Sequence, residues 1–130
     1  MNGKLYVTIA AVIAILYGLA FVLIPSELAP LFGGSSDPHA ILNLQFFGSA
    51  LLAWGAIVWF ARDFKDWIAI RGVLIGSVIG DIVGAIINVR ATLQGLLNPL
   101  AWTSTLVYMA LLIGALYFLW SGQGANLQQR

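Results

Sequence analysis

Residues 67–89 read WIAIRGVLIGSVIGDIVGAIINV, and between Gly72 and Val89 a single charged side chain, Asp81, interrupts the apolar run. About 20 predominantly apolar residues in one helix are enough to cross a bilayer. Working outward, three more segments meet that length: Leu5 to Ile24, stopped by Pro25, then residues 40–61 and 99–120. The expected fold is therefore all-α: a four-helix transmembrane bundle with spans at about 5–24, 40–61, 67–89 and 99–120. Residues 1–120 make one membrane domain, and residues 121–130 form a polar, mobile C-terminal tail.

Composition agrees. The chain is 61% hydrophobic and 8% charged, against about half apolar and about a quarter charged in a soluble domain. The net charge of +1 creates no field for a nucleic-acid partner. The absence of cysteine excludes disulfides, thiolate metal sites and cysteine nucleophiles. No metal site and no cofactor is read from the sequence. The lipid bilayer is the first partner it implies.

The connections fit antiparallel neighbours. Residues 25–39 are rich in proline and glycine, and residues 62–66, RDFKD, are a short charged turn. Asp37-Pro38 and Asn98-Pro99 each read as an N-cap followed by proline at the first helical position. Short loops favour up-down-up-down order. Lys4, Arg62, Lys65, Arg71 and Arg130 fall at one end of the spans and Arg90 alone at the other. The excess of basic residues marks the cytoplasmic side, so both termini are expected there, in a multi-pass protein of the inner (plasma) membrane. Trp59, Trp67 and Trp120 gather near the inner interface and Trp102 near the outer one. The first apolar run is longer than that of a cleavable signal peptide and reads as a retained span.

Gly72, Gly76, Gly80 and Gly84 recur every four residues, which stacks them on one helix face. Such a stripe lets a second backbone approach closely where no hydrophobic force drives helices together. It serves either packing inside the bundle or a homodimer face, with Gly18, Gly48 and Gly55 then making the internal contacts.

Asp81 lies near mid-membrane, where a lone carboxylate costs on the order of 2.5–3.5 kcal/mol. It has to be protonated, paired or hydrated. Ser77, Asp81 and Asn88 lie within about 40° of one another on a helical wheel. Ile75, Val78, Ile82 and Ile86 occupy the other side and are expected to face lipid. Placing the other spans at equal depth brings Tyr17, Gln45, Ser49, Ser104 and Tyr108 forward as partners. No lysine or arginine stands at that depth, and Arg71 is roughly 15 Å back along the same helix. Asp81 is thus a register-fixing hydrogen-bond node, a ligand or proton site in a small cavity, or a contact to a partner chain or pigment.

Other positions point less far. His39 stands without acidic or histidine neighbours and reads as a surface or cap residue. Ser35, Ser36 and Asp37 form no nucleophile arrangement with it. Gly33-Gly34 is a turn, since no GK[ST] follows. Asn98, Trp102, Thr103 and Ser104 are positioned to rim an outer cavity, although Trp102 suits an interface anchor better.

With these landmarks placed, YGLAFVLIPSELAPLFG, FFGSALLAWGAIVWFAR, IGDIVGA and NPLAW make nearly the whole chain resemble small four-span bacterial membrane proteins of the DoxX-like and domain-of-unknown-function type. The resemblance implies the four-span fold and carries no activity with it. Small multidrug exporters share the length but carry their essential acid in the first span, and Leu5 to Ile24 contains none. The glycine-arginine signature of fluoride channels does not occur either. The function expected is a small integral membrane protein with an intramembrane acidic site that binds or permeates a small ligand or proton. The alternative is an accessory subunit of a larger membrane complex, packed through the glycine stripe. An enzyme is the least favoured class, because the spans hold too few polar groups for a nucleophile, a base and an oxyanion donor.

Overall fold

The computed structural model describes residues 3–121, so the tail read as polar and mobile, and Arg130 with it, lie outside the described residues. Among the described residues there are five α-helices and no strand: α1 (Gly3–Leu23), α2 (Pro25–Leu31), α3 (Pro38–Ala61), α4 (Trp67–Leu93) and α5 (Trp102–Ser121), the last preceded by a 3-10 turn at Pro99–Ala101. Four of them, α1, α3, α4 and the 99–121 helix, are long and apolar enough to cross a membrane. The 21 residues of α1 rise about 32 Å at 1.5 Å per residue, close to the hydrocarbon thickness of about 30 Å.

The predicted helix starts are capped as the sequence reads. The Asp37 carboxylate accepts from the amides of His39 and Ala40, both at 3.0 Å, with Pro38 at N1. Asn98 accepts from Leu100 N at 3.0 Å ahead of the 3-10 turn. The Ser35 hydroxyl donates to Asp37 at 2.6 Å, and that bond, with the two amides, holds the Asp37 carboxyl below its ordinary range. Asp66 caps α4 through Ile68 N.

One element departs from the sequence reading. The proline-rich segment after the first span, read as an open connection, folds into α2. Ile24, ahead of Pro25, leaves the helical region with φ −133° and ψ 46°, which ends α1. Pro25 at N1 then starts a new turn without losing a needed N–H.

The order of contacts shows how the long helices run. Gly18 meets Gly48, Ile15 meets Gly55, and Lys4 reaches Asp63 at 2.8 Å, so α1 and α3 are antiparallel. Tyr108 covers Gly84 while Asn88 donates to Ala101 O at 2.8 Å, so α4 and α5 are antiparallel too. The helices pack as two pairs, α1 with α3 and α4 with α5, and contacts between the pairs are sparse.

Glycine explains the closeness of the first pair. A β-carbon on Gly18 would lie 2.9 Å from both Gly48 O and Leu52 N, and one on Gly55 would lie 3.1 Å from Ile15 N. These are the close backbone approaches of the bundle. The α4 stripe does something else. Gly76 takes the indole of Trp54 and Gly84 the ring of Tyr108, whereas Gly72 and Gly80 face open space. It is therefore not a continuous groove within the bundle, because a four-residue step drifts about 40° around the helix per repeat.

The two pairs meet firmly at one end only, here called the inner end because it carries the 62–66 turn. Tyr6, Val7, Ala11, Val58, Ile70, Leu74, Ala115 and Phe118 form a buried cluster there. The Tyr6 ring lies 5.2 Å from that of Phe118, sits over Gly114, and donates its hydroxyl to Leu111 O at 2.6 Å. Ile75, Ile82 and Ile86 are exposed as expected of lipid-facing positions, but Val78 packs on this cluster instead.

Candidate functional site

Beyond the inner cluster the pairs separate and enclose a cavity of about 610 Å³. Its walls follow the core-facing stripe of each helix. On α3 they are Ala40, Leu44, Phe47, Leu51 and Trp54, spaced alternately four and three; on α4 they are Ser77, Asp81, Gly84, Asn88 and Ala91. The cavity exists because the facing residues do not fill the space. Small residues from several helices meet there: Ala10 and Ala14 of α1, Ser77, Gly84 and Ala91 of α4, and Ser104 of α5. At the inner end Trp54, Tyr6, Leu74 and Phe118 are large enough to close the same seam.

Asp81 is 9% exposed and lines this cavity. Its Oδ2 is buried without a hydrogen-bond partner, the one such side-chain atom among the described residues. No other charged residue lines the wall. Three lining side chains stand at a similar level, each from a different long helix: Tyr17, Asp81 and Tyr108 are each about 14 residues from the inner end of their helix. Asp81 stands close enough to Tyr6 and Tyr108 to act electrostatically on both, and Tyr17 acts on Tyr108. Phe21 extends the aromatic wall outward, 5.8 Å from Tyr17 and 5.7 Å from Phe47 between ring centroids.

Of the residues singled out in the sequence, Asp81, Ser77, Asn88, Tyr17, Ser104 and Tyr108 all line the one cavity. Gln45 and Ser49 do not. Gln45 stands one residue, about 100°, past the lining stripe and donates to Val22 O at 3.3 Å, joining α3 to α1. Ser49 is on the exposed face and bonds Phe46 O in its own helix. Asn88 spends both amide hydrogens on α5, at Ala101 O and at Thr105 Oγ1, 2.9 Å away. It positions the α4–α5 pair rather than reaching inward for Asp81. Trp102 and Thr103 point outward, and Thr103 Oγ1 bonds Leu100 O.

The outer end has a cover that sequence reading missed. Leu28, Ala29 and Phe32, on and just after α2, with Gly34 and Ser35, close over the cavity. Asn98 ties this cover to the other helix pair: its backbone amide donates to Phe32 O at 2.9 Å and its Nδ2 to Leu31 O at 2.8 Å. Gly33 permits the contact, with φ +79° and a β-carbon position only 2.8 Å from Asn98 N. The Asn98-Pro99 cap was legible, but its second role across the seam was not. The wall is not sealed, since Phe47 and Ile87 line it and are 45% and 62% exposed.

The latch makes a direct prediction. Gly33→Ala forces an unfavourable φ and a clash with Asn98, and should cost about 1–3 kcal/mol. Gly95→Ala shares the positive φ but meets nothing nearby, and so carries the φ penalty alone. Thermal unfolding in detergent should rank Gly33→Ala clearly below Gly95→Ala, and equal values would remove the latch.

No family model, no curated protein and no solved structure matches this chain. The chemistry of the cavity therefore rests on its own residues.

Proposed function

We propose that this chain is a multi-pass protein of the inner (plasma) membrane that binds a small, largely apolar molecule in the cavity between its helix pairs, with Asp81 as the polar anchor. The observation that carries the reading is the buried carboxyl with an unpaired Oδ2 on the wall of an otherwise apolar cavity. A volume of about 610 Å³ falls within the roughly 300–1,000 Å³ of small-molecule sites. A register-fixing node would spend its hydrogen-bonding capacity on neighbours, and Asp81 Oδ2 does not. A subunit held through the α4 glycines calls for a filled bundle, which the cavity disfavours. Bacterial origin and kinship with the DoxX-like group belong to the same proposal.

Saturable uptake of a neutral apolar fluorophore by the detergent-purified protein tests it. Ser104→Phe places a ring in the cavity from α5 and should cut uptake tenfold or more. Leu106→Phe, on the exposed face of the same helix, should leave it unchanged. Equal uptake by all three forms would refute the site.

The orientation proposed puts the start of α1 and the 62–66 turn in the cytoplasm, following the basic residues. There Lys4 and Arg62 both pair with Asp63, and the Arg62 guanidinium lies 3.7 Å from the Trp59 ring centre. Cysteines at Ser36 and Phe64 should react with impermeant reagents from opposite sides of the membrane. Reaction from the same side would end the proposed topology.

A further inference from the structure

We infer that the molecule taken by the cavity is a monovalent organic cation, with an ammonium-type head beside Asp81 and an aromatic or aliphatic body in the outer half. This rests on reading the cavity as a ligand site and adds the class of ligand.

The first support is charge. Asp81 is the one charged residue on the wall, and it is nine-tenths buried with Oδ2 unpaired. The basic residues of its own helix, Arg71 and Arg90, stand about ten and nine residues away, roughly 14–15 Å along the axis, and both are exposed. An anion brought to this level would meet a carboxyl and no cation. A cation would meet the missing counter-charge, which is the condition under which a buried carboxylate is tolerated.

The second support is the ring arrangement. Tyr17 and Tyr108 line the cavity near the level of Asp81, and Phe21 and Phe47 continue the aromatic wall about one turn outward. Aromatic faces attract a cation through the ring quadrupole, and more strongly where water is excluded. One carboxylate with the Tyr17 and Tyr108 rings near its level makes a setting for a weakly hydrated organic cation.

The third support is what the wall lacks. Calcium and magnesium require about six or more oxygen ligands. Among the described residues no group of three His, Cys, Asp or Glu side chains comes together. Outward of that level the wall continues with Leu44, Phe21, Ile87 and Phe32, which suit a hydrocarbon body, and its polar groups there, Asn88, Ser104 and Ser35, are uncharged.

The test uses two probes of one shape: an arylalkyl trimethylammonium, and the neutral isostere in which a tert-butyl group replaces the trimethylammonium. Each competes against the neutral fluorophore on purified protein in an uncharged detergent. On the wild type the cation should displace the fluorophore at a concentration at least tenfold below that of the isostere. Asp81→Asn, shown to be folded by its thermal unfolding in the same detergent, should lose the cation's advantage over the isostere. Tyr108→Leu should reduce that advantage. An isostere that competes as well as the cation on the wild type overturns the cation assignment while the cavity site stands. An advantage that survives in Asp81→Asn overturns it equally. Absence of saturable fluorophore uptake in the wild type removes the cavity reading and this inference together.

Discussion

Gly48→Leu should keep α1 and α3 from closing on each other, whereas Gly80→Leu should leave the protein folded. A β-carbon on Gly48 already falls 2.8 Å from Phe21 Cβ and 2.9 Å from Gly18 O, and the second of these is backbone, which cannot rotate aside. Overpacking of this kind costs typically about 1–3 kcal/mol and more where no side chain can yield. Gly48 and Gly18 face each other, so the whole crossing has to widen. Gly80 meets nothing within 4 Å, and an added side chain there points to open space. Its effect should stay within about 0.5 kcal/mol, as for surface substitutions. Gly76→Leu falls between them, because the obstacle is the end of the Trp54 indole rather than backbone. Thermal unfolding of the three variants in detergent checks the order Gly48, Gly76, Gly80, from most to least damaging. A Gly80→Leu protein that fails to fold, or that folds but loses a native dimer, would mean that the open face of α4 is covered in the membrane.

Asp81→Leu should raise stability and abolish cation binding at once. Removing a buried polar atom that has no partner recovers its desolvation cost, about 1–3 kcal/mol. No neighbour is orphaned by the change. Tyr6 donates to Leu111 O and Gln45 to Val22 O, and neither depends on Asp81. The cavity has room for the two methyl groups that replace the carboxyl oxygens. A stabilised but non-binding variant marks a carboxyl kept for function at the expense of the fold. A destabilised Leu variant would instead assign Asp81 to holding helix register, and the ligand reading would lose its anchor. Unfolding in detergent, followed beside fluorophore and cation competition on the same preparation, separates the two.

The sequence by itself determined the elements and the acid. Four apolar runs, two of them opened by Asp37-Pro38 and Asn98-Pro99, locate the long helices within about two residues, except that α4 runs on to Leu93, because apolar length and capping chemistry are local properties. The wheel positions of Ser77, Asp81 and Asn88 likewise placed one polar face on α4, since angle around a single helix depends only on spacing. Tertiary structure alone decided which helices pair and what lies between them. Gly18, Gly48 and Gly72 look alike in sequence, yet only the first two meet a backbone, because that depends on the rotation of two helices about their axes. Gln45 was read as facing Asp81 and instead bonds Val22, a difference of about 100° that equal depth cannot reveal. The cavity was the least legible feature. It arises where small residues of different helices, Ala10, Ala14, Ser77, Gly84, Ala91 and Ser104, come together, and a shortfall of volume across an interface appears only when the faces are brought together.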